Sequence, residues 1–493
     1  MLGRVVSARC ASAICYTSQA LEVAAPPLTP LIERLVDALG ADAVLWEPED
    51  LAVYSFDAFS EDCLPAVAVL PRNARDVSAI VRIARDCGQP IVARGAGTGL
   101  CGGAVPVAGG VVVSFARMNR MLELDVPNRR AKAQPGVVNL ELSKTAQPFE
   151  LFFGPDPSSQ KTSTLGGNVA TNAGGPHALS YGSMINHVLG LEFVDDAGEV
   201  VRVSQDDAGY DLTAALVGSE GTLGIVTAID LRLLRVPRAL RVFIAAFGDV
   251  ETASAAVSAI IASGTVPTAL EIMDRTIVRA IESHYHAGFP LDVGAVLLVE
   301  IAGEPEDMVA GEAEIETIVR GHGALSWRSA ADAAEREALW ASRKGAAGAL
   351  GRIAPNYYIQ DATVPRTRLP QAVQRVEEIA KAHRLQVGNV FHAGDGNLHP
   401  LLLFDRRERR QVEAVVSAGT EILTACIALG GTISGEHGIG YEKRETLPYV
   451  FSANDLAAMG RVRDVFDVRR SFNPDKIFPS SASCAEVLPS RTA

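Results

Sequence analysis

Two glycine-rich stretches decide the fold of this chain: RGAGTGLCGGAVP (94–106) and GPDPSSQKTSTLGGNVATNAGG (154–175). The first stretch follows a short apolar segment and contains a G-x-G-x-G pattern. The fingerprint of nicotinamide dinucleotide sites requires a helix directly after the glycines, so that the helix N-terminus faces the pyrophosphate. Gly102, Gly103 and Pro106 are incompatible with a helix at that place. The stretch is therefore either a cradle of backbone N–H groups for an anion or a plain surface turn.

The second stretch favours the cradle. It joins a proline-fixed turn to a cluster of hydroxyl groups, which can donate hydrogen bonds to phosphate or to ring carbonyls. The pairs Gly166–Gly167 and Gly174–Gly175 allow the backbone to approach a flat ligand closely. Two such loops in one chain are hard to explain by packing alone.

A strand–helix–strand pattern precedes the first glycine stretch. PAVAVLP (65–71) and QPIVAR (89–94) are predicted strands, and NARDVSAIVRIARDC (73–87) is a predicted amphipathic helix that Gly88 ends. This order implies parallel strands with a helical crossover.

The pattern changes after Pro237, where we place a domain boundary. Alternating strands and helices over 241–321 predict an α+β sandwich, and a run of helices is predicted over 408–472. The predicted organisation is an extension with a helix at 1–60, a first domain at 61–237, a second domain at 238–480 and a tail at 481–493.

The composition excludes several classes of protein. A formal net charge of −13 over 493 residues disfavours nucleic acid and anionic lipid as partners. The seven cysteines are irregularly spaced and include no CxxC, which argues against a disulfide framework, a zinc ribbon and a protein-borne iron–sulfur cluster. No run of 18 apolar residues occurs, so no transmembrane helix is predicted. The first 21 residues contain Arg4 and Arg9 and no acid, which fits either a transit peptide or a plain bacterial terminus.

Two histidines flank a predicted hairpin. In VFHAGDGNLHPLLLF (390–404), apolar runs surround a turn centred on Asp395–Gly396. In that register His392 and His399 oppose each other across the strands, with Cβ atoms about 5 Å apart. Two imidazoles at this distance can share a divalent metal.

A second glycine-rich segment, TISGEHGIG (432–440), supplies a carboxylate and a third imidazole. Glu436 with His392 and His399 makes a set of two histidines and one carboxylate. His437 then remains as a base, since the ordinary histidine pKa lies near working pH. Each histidine taken alone is more often a satisfied core or loop residue, and the two segments together favour the metal site.

These segments resemble the FAD-binding fold of the vanillyl-alcohol-oxidase and p-cresol-hydroxylase superfamily. By order and wording the chain most resembles the FAD-linked subunits of glycolate oxidases, with D-lactate dehydrogenases close behind. The resemblance covers about 60 to 480 and rests on RGAGTGL, PDPSS, GGNVATNAGG, YGS (181–183), GSEGTLGIVT (218–227), FHAGDGNLHP, SGEHGIG and NPDKIF. It implies a two-domain α+β fold that binds FAD between a domain at 61–237 and an α+β cap.

The resemblance also assigns residues. Some relatives attach the flavin through a histidine in the first loop, which this chain lacks, so a non-covalent FAD is expected. Metal-dependent relatives carry a divalent ion, such as zinc, at the positions of His392, His399 and Glu436, whereas others use FAD alone, so the metal stays open here. The expected cofactor contacts are Arg94, Gly95, Ala96, Gly97, Thr98, Pro155, Asp156, Ser158, Gly166, Gly167, Asn168, Gly174, Gly175, Ile225, Glu436 and Asn473.

A cation for a substrate carboxylate is expected in ALWASRKGAAGALGR (338–352), a predicted helix. Spacing alone leaves Arg343 and Lys344 as a solvated helix face, and the resemblance selects Arg343 as the substrate arginine. Related 2-hydroxyglutarate dehydrogenases carry a lysine for the distal carboxylate near the position of Ile359. Its absence argues for glycolate or lactate.

The expected function is the FAD-dependent dehydrogenation of a small 2-hydroxy acid, glycolate to glyoxylate first, with His437 and Arg343 as catalytic residues. A D-lactate dehydrogenase acting as a single chain is the alternative. The resemblance implies a complex with a second FAD-binding-like subunit and an iron–sulfur subunit. The expected location is the cytoplasm, peripheral at the inner face of the membrane, with the mitochondrial matrix as alternative. The rivals from other classes are a metal-dependent hydrolase and a binding subunit without flavin.

Overall fold

The computed structural model of the chain describes residues 30–59 and 63–480. The sequence predictions for the first 21 residues and for the tail at 481–493 lie outside this range, as do Cys10, Cys15 and Cys484. Of the four cysteines within the described range, Cys101 and Cys426 are buried, and Cys63 and Cys87 are half-buried.

The described residues form helices and strands in comparable number. The α-helices are α1 (Pro30–Leu39), α2 (Pro48–Leu51), α3 (Ala74–Asp86), α4 (Asn139–Ala146), α5 (Leu165–Thr171), α6 (Ala178–Tyr181), α7 (Leu212–Leu216), α8 (Val250–Ala262), α9 (Arg275–Tyr285), α10 (Pro305–Gly321), α11 (Ala333–Lys344), α12 (Ala346–Ala349), α13 (Leu369–Ala382), α14 (Arg409–Ala428) and α15 (Ala453–Phe466).

The strands alternate with these helices along the chain. They are β1 (Val44–Leu45), β2 (Val67–Val69), β3 (Ile91–Arg94), β4 (Val111–Ser114), β5 (Met121–Asp125), β6 (Arg130–Ala133), β7 (Leu151–Phe152), β8 (Val188–Val194), β9 (Val200–Ser204), β10 (Ile225–Arg232), β11 (Leu234–Arg235), β12 (Ala239–Phe247), β13 (Ala269–Asp274), β14 (Ala295–Gly303), β15 (Ser326–Ser329), β16 (Asn356–Ile359), β17 (Ala362–Thr363), β18 (Gln386–His392), β19 (Asn397–Leu398) and β20 (Pro400–Phe404).

The chain forms two compact units. Unit A consists of 30–59, 63–174, Ser183–Arg235 and 436–480, and unit B consists of Gly175–Gly182 and Val236–Gly435.

Unit A contains a four-stranded sheet in the order β1-β2-β4-β3 and a five-stranded sheet in the order β5-β6-β10-β8-β9. Strands β2 and β3 both run parallel to β4, which confirms the predicted parallel arrangement. Helix α3 crosses between them. Its N-terminus is capped by Asn73, whose side chain accepts hydrogen bonds from the backbone N–H groups of Arg75 and Asp76.

Residues after 435 belong to unit A because they pair with the first sheet. Phe472 forms a parallel bridge with Ile91 and is buried in the core beside α3. The last residues of the predicted second domain, 238–480, thus belong to unit A, where Phe472 packs in the core beside α3.

Unit B is built on a nine-stranded sheet with the path β15-β12-β14-β13-β18-β19-β17, to which β20 and β16 are joined through β18. The central strands β13 and β14 are fully buried over most of their length. Helices α8 and α10 pack on these strands, as the alternating pattern predicts. Helix α9 also lies against this sheet, and Asp274 caps it by accepting from Ile277 N–H.

Three helical predictions need correction. The second glycine stretch is not a loop throughout, because α5 begins at Leu165 with Thr164 as its cap. The predicted helix at 338–352 breaks at Gly345, where a Cβ atom would clash with Tyr285 Oη. The predicted helical run at 408–472 is interrupted between α14 and α15, where Gly430, Gly438 and Gly440 adopt positive φ.

One helix in the described part of the chain, α14, is long and apolar enough to cross a membrane by length and composition. No span is predicted from the sequence, because it contains no run of 18 consecutive apolar residues. Of the most apolar part of α14, 33% is buried. The buried residues of α14 recur every three or four positions, as on a helix that packs one face against a core.

Candidate functional site

The first glycine stretch contains no helix, as predicted, and lies in unit A beside the start of α5. A Cβ atom on Gly95 would clash with Thr164 Oγ1 and would lie 3.7 Å from Gly167 Cα. Gly97 has a φ of +69°, a conformation that L side chains rarely adopt. The structure thus brings the first stretch and Gly166–Gly167 together, and glycine is what their close approach requires.

Side chains that sequence reasoning did not single out hold the end of this stretch in place. Asp57 accepts a hydrogen bond from Ala104 N–H at 3.2 Å, and Lys476 donates to the Val105 carbonyl at 2.6 Å. Lys476 is 0% exposed, and burial lowers its pKa to about 8. The lysine of NPDKIF was part of a quoted motif, whereas Asp57 carried no signal in the sequence.

Asn473, an expected cofactor contact, lies beside the glycine stretch. Its Nδ2 donates to the carbonyl oxygens of Gly103 at 2.9 Å and Glu220 at 2.8 Å. Its Oδ1 is buried and accepts no hydrogen bond from the described residues. Ser163 Oγ is also buried and has no hydrogen-bond partner among them. Two polar atoms without partners beside glycine backbone are what a site for a polar ligand requires.

The PDPSS turn is joined to α5 through Asn139, which sequence reasoning missed. Asn139 Nδ2 donates to the Pro155 carbonyl and to Asn168 Oδ1, both at 3.1 Å. Pro155, Asp156, Asn168 and Gly174 are buried in unit A, whereas Ser158 is exposed and Gly175 belongs to unit B.

Arg94 and Ile225, two of the expected cofactor contacts, also have structural roles. The guanidinium of Arg94 donates to the carbonyls of Phe56 at 2.6 Å and Val53 at 3.3 Å. Ile225 is buried in the apolar core, so any ligand would meet it through its backbone. Ala96 and Thr98 also lie on the glycine stretch, where Ala96 is exposed and Thr98 is half-buried.

Glu436 and His437 lie in unit A, with Glu436 Oε1 3.9 Å from His437 Nε2. The segment that follows them is fixed by Glu220, which accepts from the N–H groups of Ile439 and Gly440, both at 2.7 Å. Burial raises the pKa of Glu220, and these two hydrogen bonds oppose that shift.

The histidine pair lies in unit B. The direct opposition predicted for it is wrong, because His392 pairs with Asn397 and Asn389 pairs with Pro400. The turn is therefore centred one residue earlier, and His399 lies diagonally from His392 on the same face. The two ring centroids are nevertheless 5.1 Å apart, with the ring planes nearly perpendicular.

Each imidazole has a buried carboxylate beside it. His392 Nδ1 lies 2.7 Å from Glu271 Oε1, and His399 Nε2 lies 3.4 Å from Asp361 Oδ1. Carboxylates commonly orient histidines at metal sites in this way. Glu271 and Asp361 are fully buried, and neither was proposed as a site residue from the sequence.

Arg343 is buried in unit B and is not part of a solvated helix face. It is 4% exposed, and its Nη2 pairs with Glu271 Oε2. Its Nε–H is buried and makes no hydrogen bond to the described residues. Lys344, the adjacent cation, is half-buried and lies over the ring of Trp340. The arginine therefore presents an unused donor in a desolvated place.

Comparison with known proteins assigns both parts of the chain to FAD-dependent enzyme families. Residues 65–204 match the family described as FAD binding domain, and residues 236–477 match FAD linked oxidases, C-terminal domain. The chain is similar to glycolate oxidase subunit GlcD of Escherichia coli (strain K12), with 41% identity over 90% of each chain. It is also similar to D-lactate dehydrogenase of Anaerostipes hadrus, with 32% identity over 84% of this chain and 89% of that one.

The fold is that of p-cresol methylhydroxylase, whose crystal structure matches with a TM-score of 0.77 over 91% of this chain and 96% of that chain, at 15% identity. This confirms the predicted two-domain fold of the vanillyl-alcohol-oxidase and p-cresol-hydroxylase type. The glycine-lined surface of unit A is compatible with FAD, because the buried atoms Asn473 Oδ1 and Ser163 Oγ have no hydrogen-bond partner among the described residues. The chain is an FAD-dependent oxidoreductase and belongs to the family of FAD-linked oxidases that includes the glycolate oxidase GlcD subunits and D-lactate dehydrogenases.

Proposed function

We propose that this enzyme dehydrogenates a small 2-hydroxy acid, with glycolate as the first candidate and glyoxylate as the product. The observation that carries the proposal is Arg343, a buried cation with an unused Nε–H in the unit that also holds two buried histidines. A guanidinium in a desolvated place binds a carboxylate strongly and with defined geometry. The similarity to a glycolate oxidase subunit supports the choice of substrate.

The second candidate substrate is D-lactate, which the similarity to D-lactate dehydrogenase favours. A substrate with a second, distal carboxylate is disfavoured, since the position expected for its cation is Ile359 on β16. The test is anaerobic stopped-flow mixing with glycolate, D-lactate and 2-hydroxyglutarate, following flavin absorbance. We expect fast bleaching with glycolate or D-lactate and slow bleaching with 2-hydroxyglutarate. No bleaching with any of the three would exclude the proposal.

The residues have distinct tasks in the proposed reaction. Arg343 binds and orients the carboxylate, and His437 removes the hydroxyl proton with an imidazole nitrogen. Bound FAD would supply the two-electron acceptor, flavin N5, for the hydride of the α-carbon. The residues at the glycine stretch, from Arg94 to Thr98 with Gly166, Gly167 and Asn473, hold the cofactor.

We further propose that His392, His399 and Glu436 hold a divalent metal such as zinc. The metal would orient the substrate hydroxyl and lower its pKa. The support is that both imidazoles are buried and have carboxylates beside them, as metal-binding histidines commonly do. Elemental analysis of purified protein tests this, with one ion per chain expected. Full activity without any divalent ion would reduce these residues to a hydrogen-bonding role.

The FAD is proposed to be non-covalent, because the first glycine stretch contains no histidine. Acid precipitation should leave the yellow colour in the supernatant. Colour that remains with the pellet would contradict this. A colourless protein with hydrolase activity would instead favour the alternative hypothesis, in which the histidines belong to a metal-dependent hydrolase. The match to two FAD-linked families argues against that hypothesis.

The electrons are proposed to leave through partner subunits. The sequence has no cysteine set for an iron–sulfur cluster, and the similar GlcD protein is named as a subunit. We propose a second FAD-binding-like subunit and an iron–sulfur subunit as partners, with the enzyme in the cytoplasm at the inner face of the membrane. The isolated chain should turn over with an artificial dye and poorly with oxygen. Rapid peroxide formation by the chain alone would favour a self-sufficient enzyme.

A further inference from the structure

One carboxylate in unit B contacts two of the residues discussed above. Glu271 lies in the middle of β13 and is 0% exposed. Its Oε1 is 2.7 Å from His392 Nδ1, and its Oε2 accepts a hydrogen bond from Arg343 Nη2. The two oxygens of a single buried side chain therefore join the proposed substrate cation to a proposed metal ligand.

The chemistry of a carboxylate fixes the direction of both hydrogen bonds. An ionised carboxylate only accepts, so His392 must carry its proton on Nδ1. Nε2 of a neutral His392 then has the lone pair that a metal requires. On the other side, the carboxylate engages Nη2 of Arg343 and leaves Nε–H without a partner among the described residues.

We propose that Glu271 is the positioning residue of this site: it fixes the tautomer of His392 and the orientation of Arg343 together. The inference rests on the proposed function, in which Arg343 binds the substrate carboxylate and His392 binds a metal. Glu271 would touch neither substrate nor metal. Its effect on anion binding is exerted through Arg343, and its effect on metal binding through His392.

The neighbouring strand offers a matched control. Glu300 on β14 is also buried, and it accepts hydrogen bonds from Trp340 Nε1 at 2.6 Å and pairs with His177 Nε2 at 2.9 Å. Trp340 and Arg343 lie one turn apart on α11, so both glutamates attach the same helix to the same sheet. A variant of Glu300 disturbs this attachment without touching Arg343 or His392.

The test compares Glu271→Gln with Glu300→Gln in the flavin-loaded full chain. A glutamine has one acceptor and one donor group, whereas Glu271 meets two donors, so one contact is lost in either orientation. We expect oxalate, a two-carbon dicarboxylate, to bind Glu271→Gln about tenfold or more weakly by flavin difference spectra. Zinc affinity should fall by about 10- to 100-fold, as for other partners of metal-binding histidines. Glu300→Gln should match the wild type in both measurements.

A double variant separates positioning from a general loss of folding. If Glu271 acts on anions through Arg343, then Glu271→Gln in an Arg343→Met background adds no further loss of oxalate affinity but still lowers zinc affinity. Removing both partners also avoids leaving one buried charge alone, so the zinc affinity of the double variant can be compared directly with the wild type even where a single variant does not fold. Additive losses of oxalate affinity would overturn the inference.

The outcomes also distinguish the inference from the proposed function. A wild-type chain whose flavin is not reduced by any 2-hydroxy acid and that binds no oxalate contradicts the proposed function. A wild-type chain that does both, with Glu271→Gln equal to it in oxalate and zinc affinity, contradicts the positioning role alone. Equal losses in Glu271→Gln and Glu300→Gln would also contradict it, because the effect would then come from the attachment of α11.

Discussion

The carboxylate of Glu220 accepts a hydrogen bond from the backbone N–H of Gly440 at 2.7 Å. The same carboxylate accepts from Ile439 N–H, and both oxygens are thereby occupied. The GSEGTLGIVT and SGEHGIG segments are thus joined within unit A, two residues beyond His437. The proposed base stands directly before a backbone segment that a buried carboxylate holds.

Glu220→Gln should therefore slow flavin reduction while FAD remains bound. A glutamine can accept from one of the two N–H groups but presents its own N–H₂ to the other, so the segment after His437 shifts. The loss of one such hydrogen bond costs about 1–3 kcal/mol, which corresponds to about 5- to 150-fold in rate when it falls on the base. Stopped-flow reduction measures it. Glu199→Gln, an exposed carboxylate of unit A, serves as control, and an unchanged rate in Glu220→Gln would contradict the expectation.

Arg343→Ala should lower both stability and activity. It leaves Glu271 buried without its cation, and breaking a buried pair costs about 3–5 kcal/mol. It also removes the cation proposed for the substrate. The ratio of wild-type to variant kcat/KM, measured with a dye acceptor, should therefore correspond to a loss of several kcal/mol of transition-state stabilisation.

The controls for this variant are Arg343→Lys and Lys344→Ala. Arg343→Lys keeps a positive charge near Glu271 and should lose less stability than activity, because an ammonium lacks the two-pronged geometry. Lys344→Ala should change both quantities little. A larger loss of activity in Lys344→Ala than in Arg343→Ala would assign the substrate carboxylate to the other cation.

His437→Asn should reduce the rate of flavin reduction by about 10²-fold, the usual effect of removing a positioned base. The FAD content should not change, because His437 itself is not among the residues expected to hold FAD. Stopped-flow reduction and the flavin-to-protein absorbance ratio measure the two quantities. His383→Asn, on an exposed pair with Glu421, is the control. A normal rate of reduction in His437→Asn would remove this residue from the mechanism.

Asp274 should make the stability of the protein fall between about pH 4 and pH 7. Burial raises its pKa from 3.8 to about 7, although Ile277 N–H and Asn389 donate hydrogen bonds to it. The folded state holds a proton that the unfolded state has already lost in this interval, so stability decreases as the pH rises through it. At about 1.4 kcal/mol per pKa unit, the difference approaches 4 kcal/mol.

Asp274→Asn isolates this contribution. The amide keeps an acceptor for Ile277 N–H but cannot ionise, so the variant should lose less stability than the wild type between pH 5 and pH 8. Thermal midpoints at a fixed scan rate measure the difference, since other groups titrate equally in both proteins. Equal pH dependence in the two proteins would mean that Asp274 is not the group responsible.

Local sequence determined most of the individual elements. The apolar spacing at 73–87 and 250–264 produces helices α3 and α8, because a single apolar stripe can be buried in no other regular conformation. The glycines at 95–103 exclude a helix for a steric reason that acts within a few residues. The FAD-binding fold and the family were implied instead by the resemblance of the quoted motifs to a known family, and both are confirmed by comparison.

Tertiary structure alone decided which distant residues meet. The predicted hairpin register is wrong because the turn is centred one residue earlier than the symmetry of the sequence suggests. That symmetry cannot reveal where strands β18 and β20 begin to pair. Glu271 is a charged residue in the apolar strand ALEIMD, and Asp57 lies in an unremarkable segment. A buried carboxylate is stable only beside donors, and those donors lie 72 and 121 positions away from Glu271. Local patterns account for the helices and strands, and the family resemblance accounts for the cofactor class. The arrangement of Arg343, Glu271 and His392 follows only from the packing of α11 and β18 on β13, since burial of a charge depends on partners brought together by the folded chain.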